Sequence, residues 1–237
     1  MQLKQRQKGF TLVEIAVVLV IIGLLLGGVL KGQELISSAR VRNLADQQAG
    51  IQAAYFGFID RYRAVPGDMP QADADNAIQA NVTTGGDPSG DGANGVIDAN
   101  WTEVNAVWEH LSKAGFIKGS YEGSSSQSTA DTSPINVFNG VLVLARDDGY
   151  EDTDTDPPPR LLLHMGRFVP ADIARELDVK LDDGEPDTGS LRNALDADSP
   201  FVELAHSDSS CSVDDNGNQI WNIDQNPTNC VPTYLMQ

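Results

Sequence analysis

A chain of 237 residues, 41% apolar and 21% charged, is long enough to bury a core and too apolar to be a disordered polyelectrolyte. Its net charge of −18 is unevenly placed: 30 of the 34 Asp and Glu follow Pro66, with 8 of the 16 Lys and Arg, so that part alone carries −22. A surface of that sign repels phosphate backbones, which argues against direct nucleic-acid binding, and its first reading is a well-hydrated exterior.

The chain opens with a short basic leader containing Lys4, Arg6 and Lys8. Gly9 follows, then Phe10-Thr11-Leu12-Val13-Glu14, then an apolar run from Ile15 to Leu30. Phe10 to Leu30 would make about 31 Å of helix, enough to cross a bilayer core. One carboxylate in such a stretch costs on the order of 2.5–3.5 kcal/mol at a helix centre, so Glu14 needs a use. A secretory signal is cut after its apolar region. Here the glycine precedes that region, and a cut after Gly9 would leave a chain that keeps its helix, with Phe10 first and Glu14 fifth. The basic leader should stay cytoplasmic and everything beyond about Lys31 should lie outside.

In the residues Lys8 to Glu14 the sequence resembles the class III prepilin signal of bacterial type IV pilins and type II secretion pseudopilins. The resemblance implies cleavage by a prepilin peptidase between Gly9 and Phe10 and N-methylation of Phe10. It also implies that Glu14 pairs with the amino terminus of a neighbouring copy as the helices assemble into a filament; an α-amino group titrates near pH 8 and stays largely cationic at neutral pH. The implied partners are other copies of the chain, the peptidase and an inner-membrane assembly machinery. The implied location is the inner membrane with the head outside, then an extracellular pilus or a periplasmic pseudopilus. The proline that many pilins carry in this helix is absent. A reading from another class is a single-span anchored protein that keeps Met1–Gly9 and captures calcium or a basic partner with its acidic head.

The helix is expected to continue past the membrane. No proline occurs from Gly32 to Ala64, and Leu44, Ile51, Tyr55, Phe58, Ile59 and Tyr62 recur at helical spacings. Val65-Pro66-Gly67-Asp68 should end it. The organisation that follows is a cleaved leader over 1–9, a membrane or filament-core helix over 10–30, an amphipathic continuation over 31–65, and an acidic head over 66–237.

Within the head, Trp101, Val104, Val107, Trp108 and Leu111 mark an amphipathic helix ended by Gly115, with Thr102 as its cap. Pro170–Leu181 reads as a second helix. Ile135–Arg146, Arg160–Met165 and Phe201–Ala205 read as strands, and the Ser, Thr and Gly-rich segment 119–134 as a loop. The predicted class is α+β: an antiparallel sheet packed on the amphipathic half of the long helix, which is also the pilin-like architecture that the resemblance implies.

Cys211 and Cys230 fall near the carboxyl end, and in an oxidising compartment a bridge is favoured over free thiols. By resemblance, the loop it closes would be exposed on a filament surface. The segment from Asp87 to Asp98 aligns with a twelve-residue calcium loop: oxygen side chains Asp87, Ser89, Asp91 and Asp98 at positions 1, 3, 5 and 12, Gly92 at 6 and the carbonyl of Ala93 at 7. Asp98 in place of Glu and the lack of a flanking helix pair leave a solvated acidic turn as the alternative. Acids at 147, 148, 151, 152, 154 and 156 form a second candidate for metal binding, with a solvated loop as its alternative, and Leu181–Gly189, after a predicted helix, is a third that reads as a structured turn. His110, His164 and His206 are scattered and read as surface or partly packed residues; neither a HExxH pair, a nucleophile elbow nor a phosphate loop is present. The sequence therefore points to a structural subunit and away from an enzyme.

Overall fold

A computed structural model of the chain describes residues 12–83, 93–153, 157–195, 201 and 210–236. The contacts divide it into two compact units, Met1–Ala39 and Arg40–Gln237, and the boundary falls inside helix α1 (Leu12–Tyr62).

In the first unit α1 is apolar nearly all round, and its large side chains face outward, Leu12 being 90% and Leu24 73% exposed. Beyond Arg40 the pattern changes to one apolar face, on which Val41, Leu44, Ala45, Ile51, Ala54, Tyr55 and Phe58 are buried. These repeat at three, four and seven, the spacing that stacks side chains on one side of a helix. Ile59 and Tyr62 flank this core half-buried. The helix stops at Tyr62 rather than Ala64, because Arg63 turns left-handed (φ 55°) ahead of the Val65-Pro66 pair.

Gly67 then brings the chain against helix α3. Its φ is 92°, and a Cβ there would lie 2.4 Å from Val107 Cγ2 and 2.8 Å from the Glu103 carbonyl oxygen. Its N–H donates to His110 Nδ1 at 3.0 Å. A short helix absent from the sequence reading, α2 (Gln71–Ile78), precedes α3 (Trp101–Lys113). The cap of α3 is Asn100, not Thr102: Asn100 Oδ1 accepts the Glu103 N–H at 3.0 Å, and Asn100 Nδ2 donates back to Glu103 Oε1 at 2.9 Å. Asn100-x-x-Glu103 is thus a capping-box spacing that starts two residues before Thr102. Gly115 (φ 80°) follows the helix as expected.

The strands are β1 (Val143–Asp147), β2 (Arg160–His164), β3 (Leu191–Asn193), β4 (Ser212–Asp215), β5 (Asn218–Trp221) and β6 (Pro232–Leu235), with helix α4 (Ala171–Leu181) between β2 and β3. The main sheet is antiparallel in the order β1-β2-β6-β3, and β4 and β5 form a separate hairpin around Asn216-Gly217. The strand expected over 135–146 is shorter. Asn136 folds its start into a tight loop, accepting the Phe138 and Gly140 N–H groups at 2.8 Å, and only the bridge Ile135–Val141 pairs there. Of the segment Phe201–Ala205 only Phe201 lies within the described residues; it is buried edge-on against Trp101 at 4.9 Å between ring centroids. The core of the second unit joins the apolar face of α1 to Trp108 and Leu111 of α3, Leu144 of β1, Leu163 of β2 and Leu177 of α4. The architecture is α+β, a long amino-terminal helix with an antiparallel sheet and short helices, as the sequence leads one to expect.

Candidate functional site

The first candidate site is the amino-terminal helix. Glu14 lies in the first turn of the described part of α1, a carboxylate among apolar side chains whose burial in lipid is costly. Around it Leu12, Val13, Ile15, Val17 and Val18 are exposed, as are the large apolar residues onward to Leu30. The apolar run ends where Lys31 pairs with Glu34 at 2.8 Å. This is the one helix among the described residues that is long and apolar enough to cross a membrane. Gly9 and Phe10, the expected cleavage and methylation positions, lie outside the described residues.

The calcium-loop candidate is described only at its carboxyl end, since Asp87, Ser89 and Asp91 lie outside the described residues. There the buried Asp68 carboxylate accepts the N–H groups of Asn94 at 3.1 Å and Gly95 at 2.8 Å. Asp98 accepts from Asn94 Nδ2 at 2.9 Å, and its own N–H donates to the buried Glu103 at 2.6 Å. Burial pushes the Glu103 carboxyl up, against the hydrogen bonds from Asn100 and the Asp98 backbone, and burial beside Asp68 pushes the Tyr55 hydroxyl up to about 12. Ala93 is exposed just ahead of this anchored stretch. Asp68, read from the sequence only as part of a turn, is the residue that pins the segment.

In the second acidic run, the described Asp147, Glu151 and Asp152 go to different partners. Asp147 faces the His164 imidazole at 3.8 Å, Glu151 accepts from Ser212 Oγ at 2.9 Å and Asn193 Nδ2 at 3.1 Å, and Asp152 pairs with Arg192. Asp154 and Asp156 lie outside the described residues. Two histidines are far more enclosed than their sequence setting suggested. His110 stacks on Phe58 and accepts from Gly67, and His164 shares a hydrogen bond with Thr233 Oγ1 at 2.9 Å; both are buried. Burial lowers the His164 imidazole to about 3. His206 lies outside the described residues. His110 and His164 hold helix and sheet packing together and, being buried, offer no open ligand or proton-transfer position.

Cys211 and Cys230 are joined in a disulfide, with their Cα atoms 5.7 Å apart. Both are buried, and so is Trp221 between them, whose indole N–H donates to the buried Asp178 at 2.8 Å. The loop is therefore rooted in the core at three points while the outer face of its hairpin, with Val213 and Ile220, is exposed. Trp221 is the large apolar side chain that anchors this otherwise Asp- and Asn-rich segment.

Residues 4–30 match the prokaryotic N-terminal methylation motif. No curated protein and no solved structure matches the chain. The chain carries the class III signal of type IV pilins and pseudopilins, and the exposed apolar helix behind it fits inner-membrane anchoring before assembly. The motif implies processing by a prepilin peptidase and assembly into a filament, and it points to a structural subunit rather than an enzyme.

Proposed function

We propose that this chain, with its methylation motif at residues 4–30, is a subunit of a type IV pilus-like filament, built through α1 after cleavage between Gly9 and Phe10. The observation that carries the reading is the pairing of that motif with Glu14, the one carboxylate in the otherwise apolar, outward-facing stretch from Leu12 to Leu30. In lipid, one apolar surface gains little from meeting another, so association depends on close packing and on satisfying polar groups. Both means are at hand. Gly23 and Gly27, and Gly28 and Gly32, repeat at four-residue spacing with open space where a Cβ would stand, a pattern that lets helix backbones approach. Glu14 supplies the polar group, and the methylated amino group of Phe10 on the next copy is its partner. That contact offsets the cost of a carboxylate among apolar side chains and sets the axial step between copies.

Two substitutions test this in the native host. Glu14→Ala removes the contact and should leave processed protein in the membrane with filaments lost. Gly9→Val should leave uncleaved precursor. Normal filaments from the first variant, or normal cleavage of the second, would sink the proposal. Processed wild-type chain confined to the envelope, with none in sheared fibres, would assign it to a secretion pseudopilus instead. Retention of the leader with indifference to Glu14 would make it a simple membrane anchor.

A further inference from the structure

Helix α4 ends with Asp178 in its last turn, and the chain then passes through Asp182 and Asp183 into the turn that leads to β3. The turn is tightly wired. Asp182 accepts the N–H of Leu191 at 3.1 Å and that of Ser190, and Asp183 accepts the Glu185 N–H at 3.0 Å and the Thr188 hydroxyl at 2.7 Å. This folding gathers three carboxylates, so that one oxygen from each of Asp178, Asp182 and Asp183 lies within 4.8 Å of the others. The gathering takes place at the carboxyl end of a helix, where the dipole disfavours negative charge. Among the described residues no Lys or Arg pairs with any of the three.

The second observation is Asp178 itself. It is fully buried; Oδ2 is held by the Trp221 indole, the Gly184 backbone also acts on the carboxylate, and no donor meets hydrogen-bond geometry at Oδ1. A buried carboxylate oxygen without a donor bears its whole desolvation penalty, and structures rarely leave such an atom bare beside two further negative charges.

We propose that the corner between α4 and β3 binds a divalent cation of the calcium class through Asp178, Asp182 and Asp183. Hard cations of this kind take oxygen ligands at 2.3–2.6 Å, which puts opposing ligands roughly 4.6–5.2 Å apart and adjacent ones closer. The three oxygens, within 4.8 Å of one another, fit that span. Water or turn carbonyls would complete the shell, as calcium's irregular six- to eight-fold coordination permits. Because Asp178 also holds Trp221, an ion here ties the disulfide-bonded segment to α4.

Trp221 makes the site readable. Full-length protein in detergent, stripped with a chelator, is titrated with terbium under tryptophan excitation and then competed with calcium. The expected result is a saturable, calcium-displaced emission that Trp221→Phe abolishes. In Asp183→Asn, a change at an exposed position, calcium should compete at least about tenfold less well while the chelated protein melts as the wild type does. A double variant, Asp87→Ala with Asp91→Ala, should keep the emission. The proposal is overturned if millimolar calcium displaces no emission, if Asp183→Asn competes as the wild type does, or if the emission is lost in the Asp87 and Asp91 variant and kept in Asp183→Asn.

Discussion

Gly67→Ala isolates the contact on which the start of the head depends. The glycine has φ 92°, where an alanine pays about 1 kcal/mol or somewhat more. A Cβ would also stand 2.4 Å from Val107 Cγ2, 2.8 Å from the Glu103 carbonyl oxygen and 3.2 Å from the Val107 nitrogen. Two of these three atoms are helix backbone and cannot rotate away, so α3 or the 65–68 turn must shift. Overpacking of that kind costs roughly 1–3 kcal/mol, and a shift also stretches the Gly67 to His110 hydrogen bond, now 3.0 Å and buried. The total expected is about 2–4 kcal/mol. Gly115→Ala is the matched control: its φ is 80° with nothing within 4 Å of the new Cβ, so it should cost only the backbone strain, about 1 kcal/mol. Urea unfolding of the detergent-solubilised chain, followed by tryptophan fluorescence, measures both, since Trp101, Trp108 and Trp221 all lie in the second unit. Equal losses at Gly67 and Gly115 would refute the packing argument.

Replacing both cysteines by serine should cost about 3 kcal/mol for a bridge spanning 19 residues, measured by the same unfolding assay; a loss under about 1 kcal/mol would mean that Trp221 alone roots the segment. The His164 imidazole, lowered by burial from 6.5 to about 3, gives a pH dependence of definite sign. Between those values the unfolded chain binds the proton and the folded chain does not. The contribution is therefore fully present above about pH 6.5 and is lost as pH falls toward 3, by at most about 1.4 kcal/mol per pH unit. The buried carboxyls Glu103 and Glu151, raised by burial, slope the other way, favouring the fold below their ordinary value and losing that as pH rises. Comparing His164→Gln with the wild type cancels them: the variant's stability should fall less steeply from pH 6.5 to 5, and parallel curves would show that His164 does not titrate as its burial requires. Asp68→Asn should weaken the hold on the Asn94 and Gly95 amides and expose them to faster hydrogen exchange, α3 staying protected; unchanged exchange at those two amides would remove Asp68 from its anchoring role.

What was legible in the sequence was what local pattern dictates. The apolar run, its single carboxylate and the leader sit within 30 consecutive residues, and the spacing of Leu44, Ile51, Tyr55 and Phe58 marks the face that the head covers. Less legible were elements with little apolar signal: α2 buries only Ala74, and β3 and β6 are three and four residues long and gain their identity from each other. Contacts between distant residues carried no signal at all. The Asp178 to Trp221 hydrogen bond spans 43 positions, and the Asp68 to Gly95 bond spans 27. The cap of α3 was present as Asn100-x-x-Glu103 and was passed over for Thr102 because the first apolar residue, Trp101, lies between the two. His110 and His164 lie among apolar neighbours, Trp108 and Leu111 for one and Leu163 and Met165 for the other, but their polar partners and stacking contacts come from distant positions: Gly67 and Phe58 of α1 for His110, Thr233 of β6 for His164.

The proposed role requires that the chain become a filament subunit through its processed amino terminus. The most direct measurement is the amino-terminal sequence and intact mass of the protein recovered from fibres sheared off the native cells and, separately, from their envelope. A chain that lacks its first nine residues, begins at a methylated Phe10 and is present in the fibres is the predicted result. A chain that retains Met1–Gly9 in both fractions would contradict it.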